Sequence, residues 1–147
     1  MIHTRVLIVG SGGNGISLAA RLVMAGRNDF TLISKHSDFG GTWLQNTYPG
    51  CEVDVPSPAY QFSFELNPDW SALFAKQPEL LAYMRGVAEK YGLRGKTHFN
   101  TEMLGAHWSE TDAFWIVETS RGTYAADFLA LATGFLEESV LPPIDGI

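Results

Sequence analysis

The sequence is short of the features that mark several large classes of protein. A single cysteine, Cys51, excludes an internal disulfide, and without a CxxC partner it offers no dithiol redox pair. Cations are few: 10 Lys and Arg stand against 16 Asp and Glu, a net charge of -6 with a pI near 5.1. That balance lacks the clustered positive charge a nucleic acid or an anionic membrane requires, so neither is expected as a partner. Any phosphate must then be held mostly by backbone groups. His3, His36, His98 and His107 are scattered, and no HExxH or zinc-ligand spacing occurs, so no metal site is expected. There is no nucleophile elbow of the hydrolase type. No apolar run reaches membrane-spanning length, and the chain enters Val6-Leu7-Ile8-Val9 without a basic leader or cleavage site. A soluble protein in a reducing, cytoplasmic setting is the expectation.

What is present suits one compact domain of 147 residues, 46% of them hydrophobic. Arg5 to Val9 is a short β-branched run ending at Gly10, as in a strand buried on both faces. From Ile16 the pattern turns helical, with Ile16, Ala20, Val23 and Met24 on one face and Gly26 as a left-handed cap. Phe30 to Ile33 predicts a second strand. Strand, glycine turn, helix and strand within about thirty residues form the βαβ unit of a parallel, doubly wound sheet. Lys35 to Gln77 reads as a long loop whose aromatics argue for order. Pro78 then opens a helix with Leu80, Leu81, Met84, Val87, Ala88 and Tyr91 as its apolar stripe and Gly92 as its cap. His98 to Asn100 predicts a third parallel strand. Runs at 103–109, 114–119 and 122–126, parted by Thr111-Asp112 and Ser120-Arg121 turns, predict a small antiparallel meander. A separate, fully buried strand over 128–132 then ends at Thr133-Gly134. The expected class is α/β, a Rossmann-like doubly wound parallel sheet with an antiparallel three-stranded meander.

Gly10-Ser11-Gly12-Gly13-Asn14-Gly15 satisfies GxGxxG directly after a strand and directly before a helix. Gly10 permits the tight turn, Gly12 removes a side chain where a pyrophosphate would approach, and Gly15 lets the helix pack on the strand, while free helix amides face the anion. The alternative is a glycine-rich turn without ligand. The second strand of such a unit commonly ends in Asp or Glu to bind a ribose hydroxyl. Here Ser34 stands there, 24 positions after Gly10, a neutral and weaker acceptor. Lys35 beside it either reaches a phosphate or is simply solvated.

GxGxxG does not distinguish a flavin from a nicotinamide dinucleotide; the following stretch does. Gly40-Gly41-Thr42-Trp43, Asn46-Thr47-Tyr48-Pro49-Gly50-Cys51, and Asp54-Val55-Pro56-Ser57 with Tyr60 resemble the Baeyer-Villiger flavin monooxygenases, particularly those close to hydroxyacetophenone monooxygenase. Phe62-Ser63-Phe64, Asn67-Pro68-Asp69-Trp70-Ser71 and Ala132-Thr133-Gly134 ahead of Pro142 and Gly146 extend the resemblance along essentially the whole chain. The resemblance implies that Gly41, Thr42 and Trp43 line FAD and that Asp54, Val55 and Tyr60 lie toward its isoalloxazine and ribityl end, with Asp54 in a possible active-site role. It implies main-chain contacts to the adenine from Glu102 and Met103, and passage of Ala132, Thr133 and Gly134 beside the cofactor. Without it, Trp43 and Tyr60 read as packing residues and Asp54 as a turn former.

Members of that family use NADPH and O2 to insert oxygen beside a ketone carbonyl. The resemblance implies that a second dinucleotide motif, a catalytic arginine that pairs with Asp54, and a strand and helix completing the flavin domain lie elsewhere in a longer chain. Residues 1–147 are therefore expected to form an incomplete FAD-binding domain, catalytically insufficient alone and open to self-association through an exposed sheet edge. Other readings are a non-catalytic dinucleotide-binding module, which Ser34 favours, and a nicotinamide-dependent dehydrogenase domain.

Overall fold

The structure is a computed structural model that describes residues 1–136 and 140–146; Ile147, the expected domain end, lies outside them. Six strands form one sheet: β1 (Ile2–Val9), β2 (Phe30–Ile33), β3 (Thr97–His98), β4 (Met103–Ser109), β5 (Phe114–Thr119) and β6 (Gly122–Leu131). Their order is β3-β2-β1-β6-β5-β4. β1 runs parallel to both β2 and β6, with Leu7 opposite Thr31 and Leu129. The doubly wound parallel half thus stands as read.

Leu7, Ile8 and Val9 send successive side chains to opposite faces, as the two-residue strand period demands. Ile8 joins a core with Ile16, Phe30, Leu32, Phe39, Leu80 and Val87. Leu7 and Val9 join a second with Ile33, Val117, Tyr124 and Ala126. Fully burying each such aliphatic side chain stabilises the fold by about 1.5–3 kcal/mol.

On the first face lie α1 (Gly13–Met24) and α3 (Gln77–Lys90). α1 starts three residues before the expected periodic run. It buries Gly15, Ile16, Ala19 and Ala20, and Leu22 and Val23 still pack on the core, whereas Met24, at the last position of the helix and expected on the same face, is 55% exposed. Gly26 ends it at φ +70 and Gly92 follows α3 at φ +65, both as expected. The long loop contains a four-residue helix, α2 (Thr42–Gln45), and a 3-10 turn at Ser57–Ala59. A bridge between Glu52 and Lys76 also ties the middle of this loop to its end.

Three expectations change. The third parallel strand is Thr97–His98, one residue early, and Asn100 sits at φ 52, outside strand geometry. The runs at 122–126 and 128–132 are one strand. β6 pairs antiparallel with β5 through Gly122 to Ala126 and continues parallel to β1 to Leu131, so exposed Asp127 interrupts the apolar pattern but not the strand. The meander accordingly belongs to the main sheet. The second half of β6 is not fully buried: Phe128 is 59% and Leu131 63% exposed, because β5 pairs only with the first half.

Candidate functional site

A cleft of about 1220 Å³ opens beyond the C-terminal ends of β1, β2 and β6, where Val9, Ser34 and Ala132 border it. Ligands of open α/β sheets bind at such a carboxyl edge. Its floor is the turn from β1 into α1. Gly10 holds φ +118, and a Cβ there would meet the Ala132 carbonyl oxygen at 2.3 Å. A Cβ at Gly15 would lie 1.9 Å from the Gly10 carbonyl oxygen. These two glycines are required by the fold itself. Gly12 differs: its φ is an ordinary -82, and an added Cβ would only touch Gly41 Cα at 3.4 Å. Gly12, Gly13 and Asn14 line the cleft, and α1 begins there with no side-chain cap and no acid in its first turn. Its leading amides are thus left for a ligand to satisfy.

The GGTW segment forms the facing wall. Gly41 at φ +52 approaches so closely that its Cβ would fall 2.7 Å from Gly12 Cα, and the Gly40 amide is held by the Ser11 carbonyl at 3.0 Å. Trp43 is buried at the edge of the core. Its indole N–H donates to the Tyr60 hydroxyl at 3.1 Å, with the rings edge to face at 5.7 Å. Asp54 lines the same cleft, solvent-exposed, and makes no ion pair among the described residues. Hydrogen bonding to Cys51, and the proximity of that thiol, push the Tyr48 phenol above its ordinary pKa.

At the end of β2, Ser34 is buried, and its hydroxyl lies 2.8 Å from that of Ser11. Ser11 also donates to the Asp38 carbonyl at 3.0 Å, and the His36 amide donates to Ser34 Oγ at 3.2 Å. Burial pushes the Asp38 carboxyl up, but the Phe39 amide and the guanidiniums of Arg94 and Arg85, at 2.9 and 2.8 Å, hold it below the usual carboxylate range. This loop is therefore anchored to α3 and to the turn that follows it.

Of the residues singled out in the sequence, Gly10 to Asn14, Ser34, Lys35, Gly41 to Trp43, Asp54, Tyr60, Glu102, Met103 and Ala132 to Gly134 all border the cleft. Gly15 and Val55 do not: Gly15 is buried behind the turn, and Val55 is 40% exposed elsewhere. The Glu102 main chain is already engaged, its amide donating to Ser120 Oγ at 3.0 Å and its carbonyl accepting from the Ser120 amide at 2.9 Å. The sequence reading missed His36, Gln45, Val53, Met84 and Thr101 on the wall. Thr101 carried a signal, since a polar residue just past β3 is well placed to close the end of β2; its amide donates to the Ser34 carbonyl at 2.7 Å.

A sequence profile described as an NAD(P)-binding Rossmann-like domain matches residues 8–77. A Baeyer-Villiger monooxygenase of Streptomyces coelicolor is 41% identical over 145 residues, 99% of this chain and 28% of that protein. Among solved structures, an oxidized steroid monooxygenase bound to NADP superimposes with a TM-score of 0.88 at 34% identity, covering 99% of this chain and 29% of the other. The complex of OTEMO with FAD and NADP gives 0.87 at 35% identity, covering 98% and 28%. The chain thus spans somewhat more than a quarter of the length of the proteins it matches.

Proposed function

From the premise that this chain belongs with the Baeyer-Villiger monooxygenases over 99% of its length, we propose that residues 1–147 form the FAD-binding segment of a longer NADPH- and O2-dependent monooxygenase acting on a ketone. The observation that carries the reading is the meeting of the uncapped α1 start with the GGTW loop, two bare backbones in contact at Gly12 and Gly41. The residues present fit a flavin dinucleotide. Amides of Gly12, Gly13 and Asn14 would take the pyrophosphate without a cation, as suits a cleft in a chain of net charge -6. Thr42, Trp43 and Tyr60 would form the apolar and hydroxyl wall for the ring.

FAD would supply the oxygen and hydride chemistry. This chain's own part is to bind, orient and exclude water. Trp43, fixed by Tyr60 and by the Gln77 side chain that donates to its carbonyl, offers a rigid surface on the dry side of the cleft. Asp54, exposed at the mouth, is placed to hold a cationic residue of the remaining chain. The substrate ketone, NADPH, and a cytoplasmic setting belong to the same reading; no helix of the described residues is long and apolar enough to cross a membrane. The side of β6 left open beyond Ala126, with exposed Phe128 and Leu131, supports association through that edge.

The test is a visible absorption spectrum after incubation with FAD and desalting. Retained flavin absorbance is the expected result. A colourless, folded protein would overturn the FAD assignment and reopen a nicotinamide dinucleotide for this cleft.

A further inference from the structure

We infer that Ser34 sets the dinucleotide specificity of this cleft, and that the ribose corner it occupies accepts an adenosine ribose carrying a 2′-phosphate as readily as an unphosphorylated one. The inference rests on the dinucleotide-binding reading above but not on the ligand being a flavin. An acid at the end of the second strand of a βαβ unit accepts hydrogen bonds from ribose hydroxyls and repels a phosphate on that ribose. Ser34 does neither.

Proton accounting shows how fully it is committed. The Asp38 carbonyl can only accept, and Ser11 donates to it at 3.0 Å. Ser11 Oγ also donates toward Ser34 Oγ at 2.8 Å, so its one proton lies between two acceptors. Ser34 Oγ also accepts from the His36 amide. Both hydroxyls are almost fully buried, Ser11 at 2% and Ser34 at 3%. The backbone of Ser34 is pinned as well, by the His98 carbonyl and the Thr101 amide. Ser34 Oγ is thus held in place by two protein donors, and it presents the ribose with a neutral hydroxyl and no charge.

The surroundings agree. Lys35 and His36 follow Ser34 along the cleft wall. The neighbouring acid of the loop, Asp38, is neutralised by Arg85 and Arg94. Among the described residues that border the cleft, the acid Glu102 is solvent-exposed, where its charge is screened.

The experiment is calorimetric titration of the whole chain with ADP-ribose and with 2′-phospho-ADP-ribose, which share the adenosine end and lack any flavin. The wild-type affinities should agree within about threefold or favour the phosphorylated probe, and Ser34→Glu should shift the ratio at least about tenfold toward ADP-ribose by charge repulsion. A wild-type preference for ADP-ribose of about tenfold or more would overturn the inference, whatever the variant does, so a misfolded Ser34→Glu leaves the test intact. Lys35→Ala gives a second check, expected to weaken the phosphorylated probe alone. Probe binding at the predicted ratio without FAD retention would sink the flavin reading and leave this inference standing. Retained FAD with the opposite ratio would do the reverse.

Discussion

The two long helices pack on the same face of the sheet, yet only one of them carries an acid in its first turn. α3 opens with Pro78 and carries Glu79 in its first turn, whose carboxylate accepts from the Ser71 amide at 2.9 Å and hydroxyl at 2.6 Å. α1 opens with Gly-Asn-Gly and no acid, and neither helix has a side-chain cap. An acid near a helix N-terminus satisfies the helix dipole from within the protein. Its absence from α1, whose start forms the cleft floor, leaves that work to an anion from outside. α3 even supports this arrangement, since Met84 Cε lies 3.4 Å from where a Gly13 Cβ would stand.

The comparison can be broken in graded steps. Gly15→Ala should have the largest effect, because its Cβ would drive into the Gly10 carbonyl oxygen at 1.9 Å. A loss of more than about 3 kcal/mol is expected, read as a collapse of Tm or as insoluble protein. Gly12→Ala should separate folding from binding. With ordinary backbone angles and only a 3.4 Å contact to Gly41, its Tm should stay close to wild type, while FAD affinity should fall at least about tenfold as the methyl fills the pyrophosphate approach.

Asn14→Asp turns the α1 start into an analogue of the α3 start. The new carboxylate should stabilise the helix by about 0.3–1 kcal/mol and weaken dinucleotide binding roughly tenfold, by repelling the phosphates. Stabilisation without weaker binding would show that the amides face something else. The converse, Glu79→Gln, should lower stability by less than about 1 kcal/mol and leave FAD binding unchanged. Hydrogen bonds from the Ser71 hydroxyl and amide lower the Glu79 pKa. Its stabilisation is therefore present above the unfolded carboxylate pKa and lost as pH falls through the folded one. The difference in Tm between wild type and Glu79→Gln should shrink on acidification and be absent once Glu79 is protonated in both the folded and the unfolded state.

Much of this was legible in the sequence because it rests on local pattern. The β-branched run before Gly10 is β1, the Pro78 stripe is α3, and the strands at 103–109 and 114–119 fall where the turn signals put them. The single strand β6 was not legible. Asp127 is a polar break in the pattern, and only pairing with β1, Thr4 opposite Ala126 and Val6 opposite Phe128, carries the strand across it. Within the site, the glycines and the GGTW segment could be read because their spacing is itself the signal. The Ser11 to Ser34 contact could not, since it joins hydroxyls 23 positions apart and depends on how the Asp38 loop folds back. The engagement of Glu102 by Ser120, across the β4 to β5 hairpin, was hidden for the same reason.

The central claim is that the bare α1 start holds the pyrophosphate of FAD, and parallel fluorescence titration of FAD into wild type and Gly12→Ala tests it most directly, with thermal melts on the same samples. Saturable binding by wild type and its loss in a variant that melts at nearly the same temperature is the predicted result. Equal affinity in both proteins, or no binding by a wild type that melts cooperatively, would contradict it.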